Sequence, residues 1–98
     1  MQRNPFETVG IVGLGKMGAA IAAALVKKGT KVVGFDPNLK ESPVSGVTLV
    51  NTIEVLSKEA EVVVIAVKPN LVVPVLKEFS KPSTFVSIAA GYFLFANL

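Results

Sequence analysis

The segment from Val9 to Asp36, VGIVGLGKMGAAIAAALVKKGTKVVGFD, leaves this chain few ways to fold. It reads as an apolar strand, then glycines at 13, 15 and 18 in the pattern G-x-G-x-x-G, then an alanine-rich helix, and then a second strand closed by an acid. Gly13 permits a tight turn out of the first strand. Gly15 lacks the Cβ that would hold a pyrophosphate away from the backbone, and Gly18 lets the helix lie close to the sheet. Backbone N–H groups at the start of that helix would face a ligand, and the helix dipole favours an anion there. The stretch Val12, Gly13, Leu14, Gly15, Lys16, Met17 and Gly18 is therefore expected to cradle phosphate.

Asp36 ends the strand Lys31-Val32-Val33-Gly34-Phe35, eighteen residues beyond Gly18. A carboxylate at that place accepts hydrogen bonds from both hydroxyls of an adenosine ribose and repels a 2′-phosphate, so NAD is favoured over NADP. Lys31 and Lys40 are near enough in sequence to offset part of that repulsion. Glycine-rich turns also close ordinary strand-to-helix junctions, but strand, helix and acid fall together here in the order of a dinucleotide-binding βαβ unit.

Ninety-eight residues make one domain with a modest core, and 51% hydrophobic against 17% charged positions describe a compact chain. The net charge of +3 is spread over several segments without a basic run, which argues against nucleic acid as a partner. The chain has neither Cys nor His, so it supplies no disulfide, thiolate, imidazole base or usual zinc ligand. No metal site is expected. Hydride transfer needs none of these groups, because the cofactor carries the chemistry. The longest apolar stretches, such as Met17 to Val26, are too short to cross a bilayer, and the start MQRNPFET does not read as a signal peptide, so a cytoplasmic protein is expected.

Periodicity predicts strands at about 8–12, 31–35, 47–50, 62–67 and 84–89, and helices at about 16–28, 52–59 and 71–79. This alternation implies an α/β fold of the Rossmann type: a doubly wound, mostly parallel sheet of about five strands with helices on both faces. Asn51 followed by Glu54 predicts a capping box and a helix opening just after Val50. Pro37 to Gly46 is the one loosely structured stretch, and Tyr92 to Phe95 reads as an exposed apolar end. In such a sheet, ligands sit outside the carboxyl ends of the strands. The rule adds Asn51, the segment Lys68-Pro69-Asn70 and the segment Ala89-Ala90-Gly91 to one crevice with the glycine loop.

The loop GLGKMG, Ala66-Val67-Lys68-Pro69 at the end of the fourth strand, and Ser87-Ile88-Ala89-Ala90-Gly91 at the end of the fifth resemble, in this order, the amino-terminal cofactor domain of pyrroline-5-carboxylate reductase. The resemblance covers about residues 8 to 95. It implies NAD(P)H-dependent reduction of the C=N bond of 1-pyrroline-5-carboxylate, the last step of proline synthesis. It places the pyrophosphate on Val12 to Met17, the adenosine ribose on Asp36, and the adenosine half beside Asn51. The nicotinamide riboside would pass Ala66, Val67, Lys68 and Pro69, and the nicotinamide ring would lie near Ile88, Ala89 and Ala90. Pro69 fixes the chain direction after the strand, and the small Ala89, Ala90 and Gly91 leave room for a flat ring. Other readings stand beside these: Lys68 as a solvated lysine, Ala-Ala-Gly as a tight junction, and Ser87 as a structural hydroxyl.

Many members of that family carry an uncharged or basic residue where this chain has Asp36, which bears on cofactor choice. Full-length members continue into a helical domain that dimerises and completes the substrate pocket, so the 98 residues alone are expected not to turn over. The imino-acid substrate would bind only with that domain. GLGKMG followed by VVGFDPN is also similar to the opening of the β-hydroxyacid dehydrogenases that include 6-phosphogluconate dehydrogenase. A non-catalytic nucleotide-binding module is a further alternative. So is an S-adenosylmethionine site, against which Gly18 and the helix running directly from it favour a dinucleotide.

Overall fold

The computed structural model describes residues 8–79, 84–89 and 92–97, the last two stretches by their backbone. Strand β1 (Thr8–Val12) leads into helix α1 (Lys16–Lys27), and β2 (Lys31–Phe35) and β3 (Val47–Leu49) follow. Helix α2 (Ile53–Glu59), β4 (Val62–Ile65), α3 (Pro69–Lys77), β5 (Thr84–Ala89) and β6 (Tyr92–Asn97) complete the order. The six strands form one sheet in the order β3-β2-β1-β4-β5-β6. Pairing is parallel from β3 through β5 and antiparallel between β5 and β6. The expected doubly wound α/β fold is present, with six strands in place of about five. The additional strand is formed by the apolar end expected to be exposed.

Alternation along the strands divides the core into two layers. Val12, Val33, Val63 and Ile65 pack with Ile53 and Leu56 of α2 and Val72 of α3. Val9, Ile11, Val32 and Val64 point the other way and pack with Ala22 of α1 and with Leu14. Helices thus cover both faces, α1 on one and α2 with α3 on the other. The chain moves outward from β1 to β2 and β3, then crosses back to β4 on the far side of β1. The strand order therefore reverses between β1 and β4, where ligands settle in sheets of this kind.

Helix termini follow local chemistry. After α1 the chain turns at Gly29, whose φ of 87° needs a glycine. Its N–H donates to the Val26 carbonyl, and the Thr30 N–H donates to that of Leu25, the paired bonds of a Schellman end. Helix α2 is capped by Thr52, whose Oγ1 accepts from the Val55 N–H at 3.1 Å. This corrects the capping box expected at Asn51: the cap is one residue later, and Glu54 sits in the first turn, where its charge suits the dipole. Helix α3 begins at Pro69, two residues before the expected start, because a proline at the first helical position loses no needed N–H. Strand β4 accordingly ends at Ile65, and Ala66 and Val67 belong to the connection. Among the described residues, no helix is long and apolar enough to cross a membrane.

Candidate functional site

Parallel register aligns four strand ends. Val12 pairs with Phe35 on one side and with Ile65 on the other, and Ile65 pairs with Ser87. The next residue on each strand therefore lies in one row at the carboxyl edge of the sheet: Asp36, Gly13, Ala66 and Ile88. Three inter-strand spacings make this row roughly 14 Å long. Ala89 follows at the end of β5. Ala90 lies outside the described residues.

The glycine loop is tied into the row from both sides. The Gly13 N–H donates to the Phe35 carbonyl at 2.8 Å, and the Ala66 N–H donates to the Val12 carbonyl at 2.8 Å. Gly13 has φ 97°, and a Cβ there would strike the Ala66 carbonyl oxygen and stand 3.0 Å from Val67 Cγ1. A side chain at Gly18 would collide with the Gly13 carbonyl oxygen, so this buried first-turn residue is what lets α1 start against the loop. Gly15 behaves differently. A Cβ built there meets nothing within 4 Å, and the space it faces is outside the protein.

Gly15 is also the N-cap of α1, and no side chain caps that end. The Ala19 N–H makes the first intrahelical bond, to the Gly15 carbonyl at 2.8 Å, and the first turn holds no acidic residue. The N-terminal N–H groups of a twelve-residue helix thus open onto free space beside a glycine. That arrangement suits an anion, because both the free donors and the helix dipole carry positive character. Lys16 and Met17 are exposed in the same turn. Leu14 is buried, and its side chain packs in the α1 layer of the core.

Asp36 uses both carboxylate oxygens on backbone donors. Oδ2 accepts from the Leu14 N–H and Oδ1 from the Asn38 N–H, each at 2.9 Å. One lone pair on each oxygen stays available to a ribose. Lys31 starts β2 and so lies at the opposite edge of the sheet from Asp36. It cannot reach the ribose position, contrary to the sequence expectation, because sequence proximity along an extended strand is distance in space. Lys40 lies in the loop after β2 and is exposed.

A groove of about 470 Å³ runs along this edge. Of the residues expected at the site, Val12, Gly13, Gly15, Asp36, Ala66, Val67 and Lys68 line it. Leu14, Lys16, Met17, Gly18 and Pro69 belong to the loop or helix starts beside it and do not line it. Asn51 is exposed beyond β3 and also stands off the groove. The rest of the lining is mostly apolar, from Phe35 at the end of β2, Pro37 after it, Ile53 of α2 and Leu71, Pro74 and Val75 on α3, with Asn38 and Glu78 as its polar members. Sequence reasoning missed this wall. Pro37 and Asn38 were legible as neighbours of Asp36, whereas the α3 residues are brought in by the crossover from β4 alone. Among the described residues, no group of acids could hold a metal ion.

Comparison with known proteins gives this geometry a context. The chain is 36% identical over 67 residues to a probable mitochondrial 3-hydroxyisobutyrate dehydrogenase of Dictyostelium discoideum, covering 65% of this chain and 21% of that protein. The chain therefore spans about a fifth of the length of that relative. A reductive aminase from Aspergillus terreus, solved in complex with NADPH4, cyclohexanone and allyl amine, matches in fold with a TM-score of 0.74 at 21% identity, over 85% of this chain and 32% of that one. A pyrroline carboxylate reductase from Plasmodium falciparum with NADP bound matches with a TM-score of 0.64 at 25% identity, over 82% of this chain and 32% of that one. Over residues 8–91, from the first strand through the end of the fifth, the sequence matches one protein family, and the chain belongs to it: the coenzyme F420-dependent NADP oxidoreductases.

Proposed function

We propose that the chain binds a nicotinamide dinucleotide along the row Asp36, Gly13, Ala66 and Ile88, and that it is the cofactor-binding part of a reductase acting on the C=N bond of 1-pyrroline-5-carboxylate. The observation that carries the binding reading is the uncapped start of α1 opening beside Gly15 into empty space, in line with the other strand ends. The bound cofactor supplies the hydride. The residues of this chain bind and orient it: the N–H groups of the first turn of α1 hold the pyrophosphate, and Asp36 accepts from the adenosine ribose. The apolar wall at Leu71 and Pro74 shelters the adenine side. Ala66 to Pro69 run past the nicotinamide riboside, and Ile88 to Ala90 past the ring. A 2′-phosphate on the adenosine ribose would meet the Asp36 carboxylate, so NADH is favoured over NADPH.

The substrate reading rests on AVKP and SIAAG in their places behind the glycine loop, and on the 25% identity to the Plasmodium reductase. A second reading has its own support: the 36% identity to a 3-hydroxyisobutyrate dehydrogenase favours oxidation of a β-hydroxy acid. Fusing residues 1–98 to the carboxyl-terminal part of each kind of enzyme separates the two. Imine reduction restored in the first fusion alone supports the reductase, and hydroxyacid oxidation restored in the second alone supports the alternative. The 98 residues by themselves turn over neither substrate in this proposal, and measurable reduction of 1-pyrroline-5-carboxylate by the isolated chain would overturn it.

A further inference from the structure

Asp36 is committed before any ligand arrives. Its two oxygens hold the N–H of Leu14, between the first two glycines of the loop, and the N–H of Asn38, two residues along its own strand connection. Leu14 is 4% exposed, and its N–H meets the carboxylate in a part-buried bond. Its neighbour Gly13 is bonded to the carbonyl of Phe35, immediately before Asp36. The end of β2 therefore grips two consecutive N–H groups of the glycine loop, one through the backbone and one through the Asp36 side chain.

Resting on the dinucleotide reading above, we propose that Asp36 is a positioning residue for the pyrophosphate loop as well as a ribose ligand. Its carboxylate fixes the Leu14 peptide and with it the path of the chain into Gly15 and the start of α1. The residue type at 36 then governs affinity for the whole dinucleotide. Replacements intended to admit a 2′-phosphate weaken the loop as they remove the repulsion, so they do not convert the site to NADPH unless a new acceptor for the Leu14 N–H is supplied.

The test measures two quantities on the 98-residue chain and on Asp36→Ala and Asp36→Asn. The first is amide hydrogen exchange at Leu14 without ligand. The second is affinity for NADH and for the NADH analogue whose adenosine ribose lacks both hydroxyls. Asp36→Ala is expected to speed Leu14 exchange and to weaken the analogue by about tenfold or more, the worth of a lost bond to a charged acceptor. Asp36→Asn keeps one acceptor oxygen and is expected to restore part of both. Unchanged Leu14 exchange in Asp36→Ala, or a loss of affinity confined to NADH with the analogue unaffected, overturns the proposal. If neither nucleotide binds the unsubstituted chain, the dinucleotide reading fails on its own, and the exchange rates still decide whether the carboxylate holds the loop.

Discussion

Replacing Gly15 with alanine separates binding from stability more cleanly than any other change in the loop. The methyl group would meet nothing within 4 Å, and Gly15 has φ −71° and ψ −164°, an extended conformation open to any residue. The cost to the fold is therefore limited to exchanging one weakly favoured N-cap residue for a poor one, within about 0.5 kcal/mol. For a domain of this size that moves Tm by roughly 2–4 °C. In the proposed binding mode, the same methyl group stands where the pyrophosphate would lie to reach the first N–H groups of α1. Losing one or two bonds to a charged acceptor costs about 1.5–3 kcal/mol each, or a loss of affinity of roughly tenfold to more than a hundredfold. Calorimetric titration with NADH and thermal unfolding by circular dichroism read the two effects on the same sample. Gly15→Ala that binds NADH as tightly as the original chain would refute the placement of the phosphates. A large fall in Tm would refute the claim that the space beside Gly15 belongs to the ligand.

Gly18→Ala is expected to behave in the opposite way. Its methyl group overlaps the Gly13 carbonyl oxygen, which is anchored through the Gly13 N–H, and the strain outweighs a helix-propensity gain of about 1 kcal/mol, for a net loss of about 1–2 kcal/mol in a urea melt. An unchanged urea midpoint would contradict the packing of α1 on the loop. Thr52→Ala removes the side-chain cap of α2 at a residue that does not itself line the groove, although its neighbour Ile53 does. It should cost about 1 kcal/mol and leave NADH affinity alone, and a parallel loss of binding would show that α2 and the site are coupled.

The parts of the fold legible in the sequence are those governed by local rules. The five parallel strands announce themselves as apolar runs, and α1 and the loop before it as glycines in fixed spacing. What escaped depends on contacts distant in the chain. The bond between Leu14 and Asp36 spans 22 residues and involves a backbone donor, which leaves no trace in residue type. The α3 wall of the groove needs the topology before Leu71 and Pro74 can be set opposite Pro37. The start of α3 was hidden by Pro69 and Asn70, which read as a loop although proline is welcome in a first helical turn. Strand β6 did carry a signal: its register with β5, Ala89 opposite Tyr92, leaves two residues between two apolar runs, a hairpin spacing. Reading the second run as an apolar end overlooked it. The cap of α2 was misplaced by one residue because Asn51 and Thr52 are both good caps, and only geometry chooses between them.

The most direct test of the central claim is calorimetric titration of the 98-residue chain with NADH and, separately, with NADPH. Saturable binding of NADH at one site, with NADPH several-fold weaker, is the predicted result. Absence of saturable heat with either nucleotide would contradict the assignment of the row at the strand ends as a dinucleotide site.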